Sequence, residues 1–211
     1  LAEYIWQRLM KQKVTTNDFS ALLTGLLLAL NLPATMGNPK YLWMCILGSV
    51  FAIIVVKQLF GGLGQNFMNP ALAGRCFLLI SFSGIVANYA VDGYSSATPL
   101  AQMASGQAVN VTQMLIGNTS GVIGNSAIAL FIGGMVLWAM GGITFEIPAA
   151  IIVSFTAFVA LFGGQGFNPT FLLAHLAGGG VIMAAFFMAT DPVTSPVTST
   201  GQLLYGILVG I

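Results

Sequence analysis

Long apolar stretches alternate with short polar ones along most of the chain. A helix needs about 20 mainly apolar residues to cross the hydrocarbon core of a bilayer. Several stretches reach or approach that length, and two are shorter: 41–60, 125–140, 147–163 and 171–190, then 19–32 and 70–82. The pattern predicts an all-α, polytopic integral membrane helix bundle.

The composition supports a membrane protein. Hydrophobic residues make up 57% of the 211 residues and charged residues only 5%, whereas a soluble domain carries about 25% charged residues. The formal net charge of +1 suggests no nucleic-acid partner and a chain surrounded by the lipid bilayer. We expect a single membrane domain over residues 1–211. Because the sequence starts at Leu1 and stops inside an apolar run, we also expect a fragment of a longer chain.

Two segments begin in the same way, with a glycine-rich turn, an Asn-Pro pair and an apolar run. The pairs are Asn69-Pro70 and Asn168-Pro169. Proline suits the first position of a helix, and the asparagine before it can cap the free amides. Their spacing predicts an internal repeat with discontinuous helices. Such interrupted segments are where membrane transporters bind ions and substrates.

The most polar region, about 84–126, has no apolar run long enough to span a bilayer. We expect it to be an aqueous loop at a membrane face, because irregular backbone is not tolerated in contact with lipid. Arg8, Lys11 and Lys13 predict that the opposite, N-terminal face is cytoplasmic. Within the loop, Thr98 precedes Pro99 and should therefore be extended. Taken alone, its Ser/Thr cluster is most simply a turn.

The loop sequence "DGYSSATPLA" resembles the flavinylation motif D-x-x-[S/T]-G-A-[T/S]. Asp92, Ser95, Ala97 and Thr98 match in order and spacing, and Ser96 stands where glycine is usual. Other segments carry a wider resemblance, over nearly the whole chain and in the same order, to the NqrB/RnfD family. Its members are membrane subunits of the Rnf complex and of the sodium-translocating NADH:quinone reductase. These segments are "GGLGQNFMNPALAGRCFLLISF", "IGNTSGVIGNSA", "FEIP" and "FFMATDPVTSPVT".

The resemblance implies a redox subunit of an ion-translocating ferredoxin:NAD⁺ oxidoreductase. It implies FMN joined to Thr98 by a phosphoester bond, made from FAD by a separate flavin transferase. It also implies a non-covalent riboflavin, for which Asn66, Asn69 and Phe77 are candidates. The partners would be RnfA, RnfB, RnfC, RnfE and RnfG of the Rnf complex, with Na⁺ or H⁺ as the transported ion. The chain would cross the inner membrane several times, with the Thr98 loop extracytoplasmic.

Charged and ionisable residues in or beside the apolar runs have open roles. Arg75 could pair with a flavin phosphate or a carboxylate, or make a helix–helix contact. Asp191, which ends an apolar run beside Pro192, is costly in a membrane unless something uses it, so we expect a cofactor or ion role or a structural cap. Glu146 is expected at a helix start, where a carboxylate suits the helix dipole. His175 is expected to contact a neighbouring helix or a cavity.

Cys45 and Cys76 lie in apolar segments, so both are expected to be small buried residues. "GGLGQN" is not a dinucleotide-binding fingerprint, because no βαβ unit surrounds it. The alternative to a redox subunit is a channel or secondary transporter, which also uses discontinuous helices. A scaffold for partner subunits is a third possibility that no feature favours.

Overall fold

The computed structural model describes residues 1–91, 94, 95 and 97–211. The described chain is helical except for a sheet of two very short strands, β1 (Ala90–Val91) and β2 (Tyr94–Ser95). It forms two compact units, unit 1 (Leu1–Ala90) and unit 2 (Val91–Ile211). The prediction of an all-α helix bundle is confirmed.

Unit 1 contains five α-helices and short 3₁₀ turns at Thr16–Asp18 and Ala34–Gly37. The α-helices are α1 (Ala2–Leu9), α2 (Ser20–Leu30), α3 (Leu42–Val50), α4 (Pro70–Ser81) and α5 (Ser83–Val86). Helix α3 continues without interruption into the wide π-helical turns of Phe51–Lys57 and the 3₁₀ turn of Gln58–Phe60.

The core of unit 1 lies among α2, α3 and α4, where Leu28, Met44 and Leu78 are buried together. Two glycines bring α3 and α4 close. A Cβ on Gly48 would lie 2.5 Å from Leu78 Cδ1, and one on Gly74 would lie 3.0 Å from the Gly48 carbonyl oxygen. Small residues at helix crossings are the usual means of packing membrane helices tightly.

Unit 2 contains seven α-helices. They are α6 (Pro99–Ala104), α7 (Val111–Ile116), α8 (Ala127–Ala139), α9 (Glu146–Phe162), α10 (Pro169–Ala177), α11 (Val181–Met183) and α12 (Ser199–Gly210). Helix α11 continues into the wide turns of Ala184–Met188. Helices α9 and α12 pack closely because Gly206 and Gly210 lie one turn apart on the same face. A Cβ on Gly206 would lie 2.5 Å from Ala150 Cβ, and one on Gly210 2.6 Å from the Ile151 carbonyl oxygen.

The apolar run predicted at 171–190 is not one continuous helix. It is divided into Pro169–Ala177 and Val181–Met188, which are bent by 61° relative to each other. The three intervening residues are glycines, and both Gly179 (φ 75°) and Gly180 (φ 77°) have left-handed backbone. Other residue types rarely adopt that conformation. The glycine triplet therefore causes the break.

One described helix, Leu42–Phe60, is long and apolar enough to cross a membrane, and the bent pair would be a second if it formed a single span. The other apolar helices are shorter, at 10–17 residues. Both units contain the same order of elements, a short apolar helix, a long one, a glycine-rich turn and an Asn-Pro helix. In unit 1 these helices are α2, α3 and α4, and in unit 2 they are α8, α9 and α10.

Candidate functional site

Thr98 lies immediately before α6, in unit 2. Its backbone is extended, with φ −61° and ψ 152°, as expected for a residue that precedes proline. The side chain is half-buried. Within the described part of the chain, the Thr98 hydroxyl makes one hydrogen bond, a long one of 3.4 Å in which Oγ1 accepts from the Ala101 amide. The oxygen is thus held at the start of a helix and is only weakly occupied.

The residue before Thr98 is fixed by two side chains. The Ala97 carbonyl oxygen accepts a hydrogen bond of 2.7 Å from Ser120 Oγ and one of 3.0 Å from Gln102 Nε2. Ser120 is only 4% exposed, although it lies 23 residues further along the chain. It belongs to the turn between α7 and α8. A Cβ on Gly117 in that turn would lie 2.8 Å from Ser126 Cα, so the turn is folded tightly on itself.

Helix α6 is anchored at the break between α10 and α11. A Cβ on Gly178 would lie 2.9 Å from Leu100 Cγ, so the Leu100 side chain occupies the space that the glycine leaves. Because Leu100 follows Thr98 by two residues, this contact holds the helix that begins at Thr98 against the broken helix. The other motif residues give less information: Asp92 and Ser96 lie outside the described residues, and only the backbone of Ser95, in β2, is described.

The two Asn-Pro pairs cap helices as expected. Asn69 Oδ1 accepts from the amides of Ala71 at 3.0 Å and Leu72 at 3.2 Å. Asn168 Oδ1 accepts from the Thr170 amide at 3.1 Å. In each case the side chain supplies an acceptor for amides that the first helical turn leaves free.

Arg75 makes a helix–helix contact inside unit 1. Its Nη1 donates a hydrogen bond of 2.9 Å to Asn31 Oδ1, and Asn31 Nδ2 donates to the Leu27 carbonyl at 2.8 Å. Asn31 is 5% exposed and lies at the end of α2. Arg75 on α4 thus joins two helices through a buried amide. Its pairing with a flavin phosphate stays a prediction.

An aromatic pocket of about 380 Å³ lies in unit 1 between the α3 segment and α4. Phe77 stacks on Phe51, with ring centroids 4.3 Å apart and planes 7° apart, and Phe60 packs beside Phe67 at 4.6 Å. All four rings line the pocket. Its volume falls within the range of small-molecule sites, about 300–1,000 Å³.

The sequence neighbours of this pocket include the asparagines predicted to hold a second flavin. Asn66 is 8% exposed and its Nδ2 donates to the Met68 carbonyl at 3.1 Å. Met68 and Phe67 line the pocket themselves. The structure thus brings Phe77 close to the segment that contains Asn66 and Asn69.

Asp191 lies just after the wide turns of Ala184–Met188 and is half-buried. Its Oδ1 accepts from the Val193 amide at 3.2 Å and its Oδ2 from Thr194 Oγ1 at 3.4 Å. The Asp191 carbonyl oxygen accepts from the Ser195 amide at 3.0 Å. The carboxylate therefore organises the turn that contains Pro192, as a structural cap does, and the long Thr194 bond leaves Oδ2 weakly engaged.

A buried ion pair in unit 1 was not predicted. Lys57 Nζ lies 2.8 Å from Glu3 Oε1, and Gln58 Nε2 donates to the same oxygen at 2.7 Å. Lys57 and Glu3 are each 2% exposed. Glu3 Oε2 is buried and has no hydrogen-bond partner among the residues that the structure describes. A lysine inside the apolar run at 41–60 was the available signal, since intramembrane charges are rare and usually paired.

The ion pair is connected to the surface. Lys57 Nζ donates to Ser20 Oγ, which donates to Asp18 Oδ1 at 2.6 Å. Asp18 is exposed, and its Oδ1 also accepts from the Ser20 amide at 2.9 Å. Partial burial acts to raise the pKa of Asp18, but the Ser20 hydrogen bonds and the Lys57 charge outweigh it and lower the pKa below its usual value.

The remaining ionisable residues have structural contacts. Glu146 is the first residue of α9, as predicted. His175 Nδ1 lies 2.9 Å from the Phe171 carbonyl oxygen of its own helix, and the two rings stack at 4.2 Å. The prediction of two buried cysteines is wrong for Cys76, which is exposed. Cys76 lies on the side of α4 away from the face that buries Leu78. Cys45 is half-buried.

Apolar helices interrupted by glycine-rich turns, with polar side chains at their ends, define a polytopic membrane protein with discontinuous helices. Comparison with known proteins identifies the family. The model of the NQR2, RnfD, RnfE family matches residues 1–211, and the chain therefore belongs to that family.

Curated relatives agree. The chain is 44% identical to the RnfD component of the Na⁺-translocating ferredoxin:NAD⁺ oxidoreductase complex of Acetobacterium woodii, over 99% of this chain and 66% of that protein. It is 38% identical to the NqrB component of the Na⁺-translocating NADH-quinone reductase of Klebsiella pneumoniae, over 89% of this chain and 50% of that protein. The corresponding NqrB protein of Neisseria meningitidis is 36% identical over 99% of this chain and 54% of its own length. The chain thus spans about half to two thirds of the relatives it matches.

Proposed function

We propose that this chain is the flavin-carrying membrane subunit of a ferredoxin:NAD⁺ oxidoreductase that transports Na⁺ or H⁺. Family membership supports a membrane subunit of a multi-subunit redox translocase. The observation that carries the flavin assignment is the setting of Thr98. It is an extended, half-buried threonine whose hydroxyl is weakly engaged, at the end of a sequence that resembles the flavinylation motif.

The attachment reaction needs only that hydroxyl from this chain. Thr98 Oγ1 attacks the phosphorus of the FMN half of FAD, the bond from that phosphorus to the AMP oxygen breaks, and AMP leaves. The hydroxyl proton passes to a base of the flavin transferase. The chain's one histidine, His175, contacts the carbonyl of its own helix, so we assign no base to this chain. The attached flavin would supply one- and two-electron transfer, and the covalent bond would fix its place between donor and acceptor.

The aromatic pocket of unit 1 suits the second, non-covalent flavin of the proposal. Stacked phenylalanine rings accommodate a flat aromatic ring system, and the pocket volume of about 380 Å³ is sufficient for a small molecule. In this proposal Phe77 packs on the ring, and Asn66 and Asn69 on the adjacent segment interact with its polar edge. RnfA, RnfB, RnfC, RnfE and RnfG are the proposed partners, and the Thr98 loop is placed on the extracytoplasmic face.

The decisive experiment is attachment. Protein made in cells with the flavin transferase should show flavin fluorescence after denaturing electrophoresis, and Thr98→Ala should abolish it. Peptide mass spectrometry should find the added FMN mass at Thr98. Ser105→Ala is the matched control, because it removes a hydroxyl at the other end of α6. A non-fluorescent wild-type band would instead favour the channel or transporter class.

The ion-coupling part of the proposal rests on Asp191. We expect Asp191→Asn to keep the complex assembled and Thr98 flavinylated but to lower both ferredoxin:NAD⁺ turnover and ion uptake into vesicles several-fold. Removing the charge weakens the ligand set of carboxylate, hydroxyl and carbonyl oxygens that a hard cation prefers. The two rates should be measured at matched covalent flavin content. Unchanged rates would leave Asp191 as a structural cap only.

A further inference from the structure

The peptide bond that leads into Thr98 is held from one side by a residue that no motif contains. Ser120 Oγ donates a 2.7 Å hydrogen bond to the Ala97 carbonyl. That carbonyl and the Thr98 amide nitrogen belong to one planar peptide unit, so fixing the oxygen fixes the plane. On the other side, Thr98 is followed by Pro99, whose φ is restricted by its ring.

Both backbone bonds of Thr98 are thereby restrained, and so is the direction in which its side chain leaves the backbone. The second donor to the Ala97 carbonyl, Gln102, is a half-buried residue of α6 itself. Ser120 differs because it is 4% exposed and belongs to the tight turn between α7 and α8. It therefore connects the Thr98 segment to a separate part of unit 2.

We propose that Ser120 is a positioning residue for FMN transfer to Thr98. By holding the Ala97–Thr98 peptide unit, it keeps the Thr98 hydroxyl pointed outward, where the flavin transferase and FAD must reach it. The proposal rests on the flavinylation of Thr98 and adds no step to that reaction. Ser120 touches neither the phosphorus nor the attacking oxygen. Its contribution is that less of the population must be reoriented before attack.

The test compares four side chains at position 120 in the full chain. Ser120→Ala and Ser120→Val lack the hydroxyl, whereas Ser120→Thr keeps it, and threonine and valine have nearly the same shape. The measurement is the initial rate of FMN transfer to Thr98 by the purified transferase with saturating FAD, at matched amounts of folded protein. We expect serine and threonine to give similar rates and alanine and valine to be about two- to tenfold slower, the range of one ordinary hydrogen bond.

A second readout needs no flavin. In protein made without the transferase, amide hydrogen exchange of the 97–104 segment should be faster in Ser120→Ala and Ser120→Val than in wild type and Ser120→Thr. Ser105→Ala, which removes a hydroxyl bonded to the Gln102 carbonyl, should change neither readout. Equal transfer rates for threonine and valine, or faster transfer in Ser120→Ala, would overturn the proposal. Absence of FMN from wild-type Thr98 would overturn the proposed function instead, while the exchange data would still report the restraint.

Discussion

In unit 1 the Asn-Pro helix α4 runs unbroken for 12 residues, whereas in unit 2 the Asn-Pro helix α10 stops after 9 residues at a glycine triplet. The interiors differ as well. Unit 1 buries Lys57 against Glu3. In the described part of unit 2 the buried polar side chains are neutral, Ser120, Asn125 and Gln202. The same order of helices thus supports an internal charge pair in one unit and a docking place for the Thr98 helix in the other.

The difference shows which features a common helical pattern leaves free. Capping by asparagine and proline depends on neighbouring residues and appears in both units. The ion pair and the helix break depend on single residue types at positions that the pattern does not specify. Changing those residues should therefore affect one unit and leave the other intact.

The largest effect should come from the ion pair of unit 1. Lys57→Met leaves the Glu3 carboxylate buried without its partner, and losing one member of a buried pair costs about 3–5 kcal/mol. Equilibrium unfolding in detergent would measure the change in the free energy of unfolding. The double variant Glu3→Gln with Lys57→Met should recover much of the loss, because no charge is left buried. Lys13→Met, at an exposed lysine, is the control. A single-variant cost no greater than that of Lys13→Met would show that Glu3 is uncharged in the folded protein.

The next effect concerns the break in unit 2. In Gly178→Ala the new Cβ would lie 2.9 Å from Leu100 Cγ and 2.9 Å from the Ala174 carbonyl oxygen. Overpacking of this kind costs about 1–3 kcal/mol. Thermal unfolding should show a lower melting temperature, and adding Leu100→Ala should cost less than the two changes summed. The control is Gly84→Ala in the helix α5, where a Cβ meets nothing within 4 Å. Strict additivity of Gly178→Ala and Leu100→Ala would mean that the two residues do not share this space.

The smallest effect should distinguish the two caps. Asn69→Ala and Asn168→Ala each remove a helix N-cap, which costs about 1 kcal/mol. Asn69 accepts from two amides and Asn168 from one, so the loss at Asn69 should be the larger. Unfolding free energies of both variants would check the order. Asn69→Asp and Asn168→Asp keep the acceptor and should be close to wild type. The reverse order would indicate that packing rather than capping sets the cost.

Local signals predicted the helices well, and pairings between distant residues escaped prediction. The runs at 70–82 and 147–163 match α4 and α9 to within one residue, because proline, asparagine and apolar spacing act over a few positions. The contact of Lys57 with Glu3 joins residues 54 apart, and that of Ser120 with Ala97 joins residues 23 apart. Nothing in the spacing of such pairs specifies that they meet.

The break at Gly178–Gly180 was visible in the sequence but was outweighed by the apolar character of its surroundings. Three consecutive glycines favour left-handed backbone, and this local preference prevailed over hydrophobic periodicity. At Cys76 the apolar segment was identified correctly but the side of the helix was not. Which side is covered depends on the neighbouring helices, and the segment alone does not contain that information.

The wide turns of Phe51–Lys57 have a consequence for how this chain can change during evolution. Each residue of an ordinary α-helix advances the direction of side chains by about 100°, and a π-helical turn holds one residue more. Deleting a single codon in this segment would restore ordinary turns and rotate everything beyond it by about that angle. Lys57 and Gln58 would then point away from Glu3. The inherited constraint on this stretch is therefore the number of its residues, while its apolar side chains are free to drift among similar shapes.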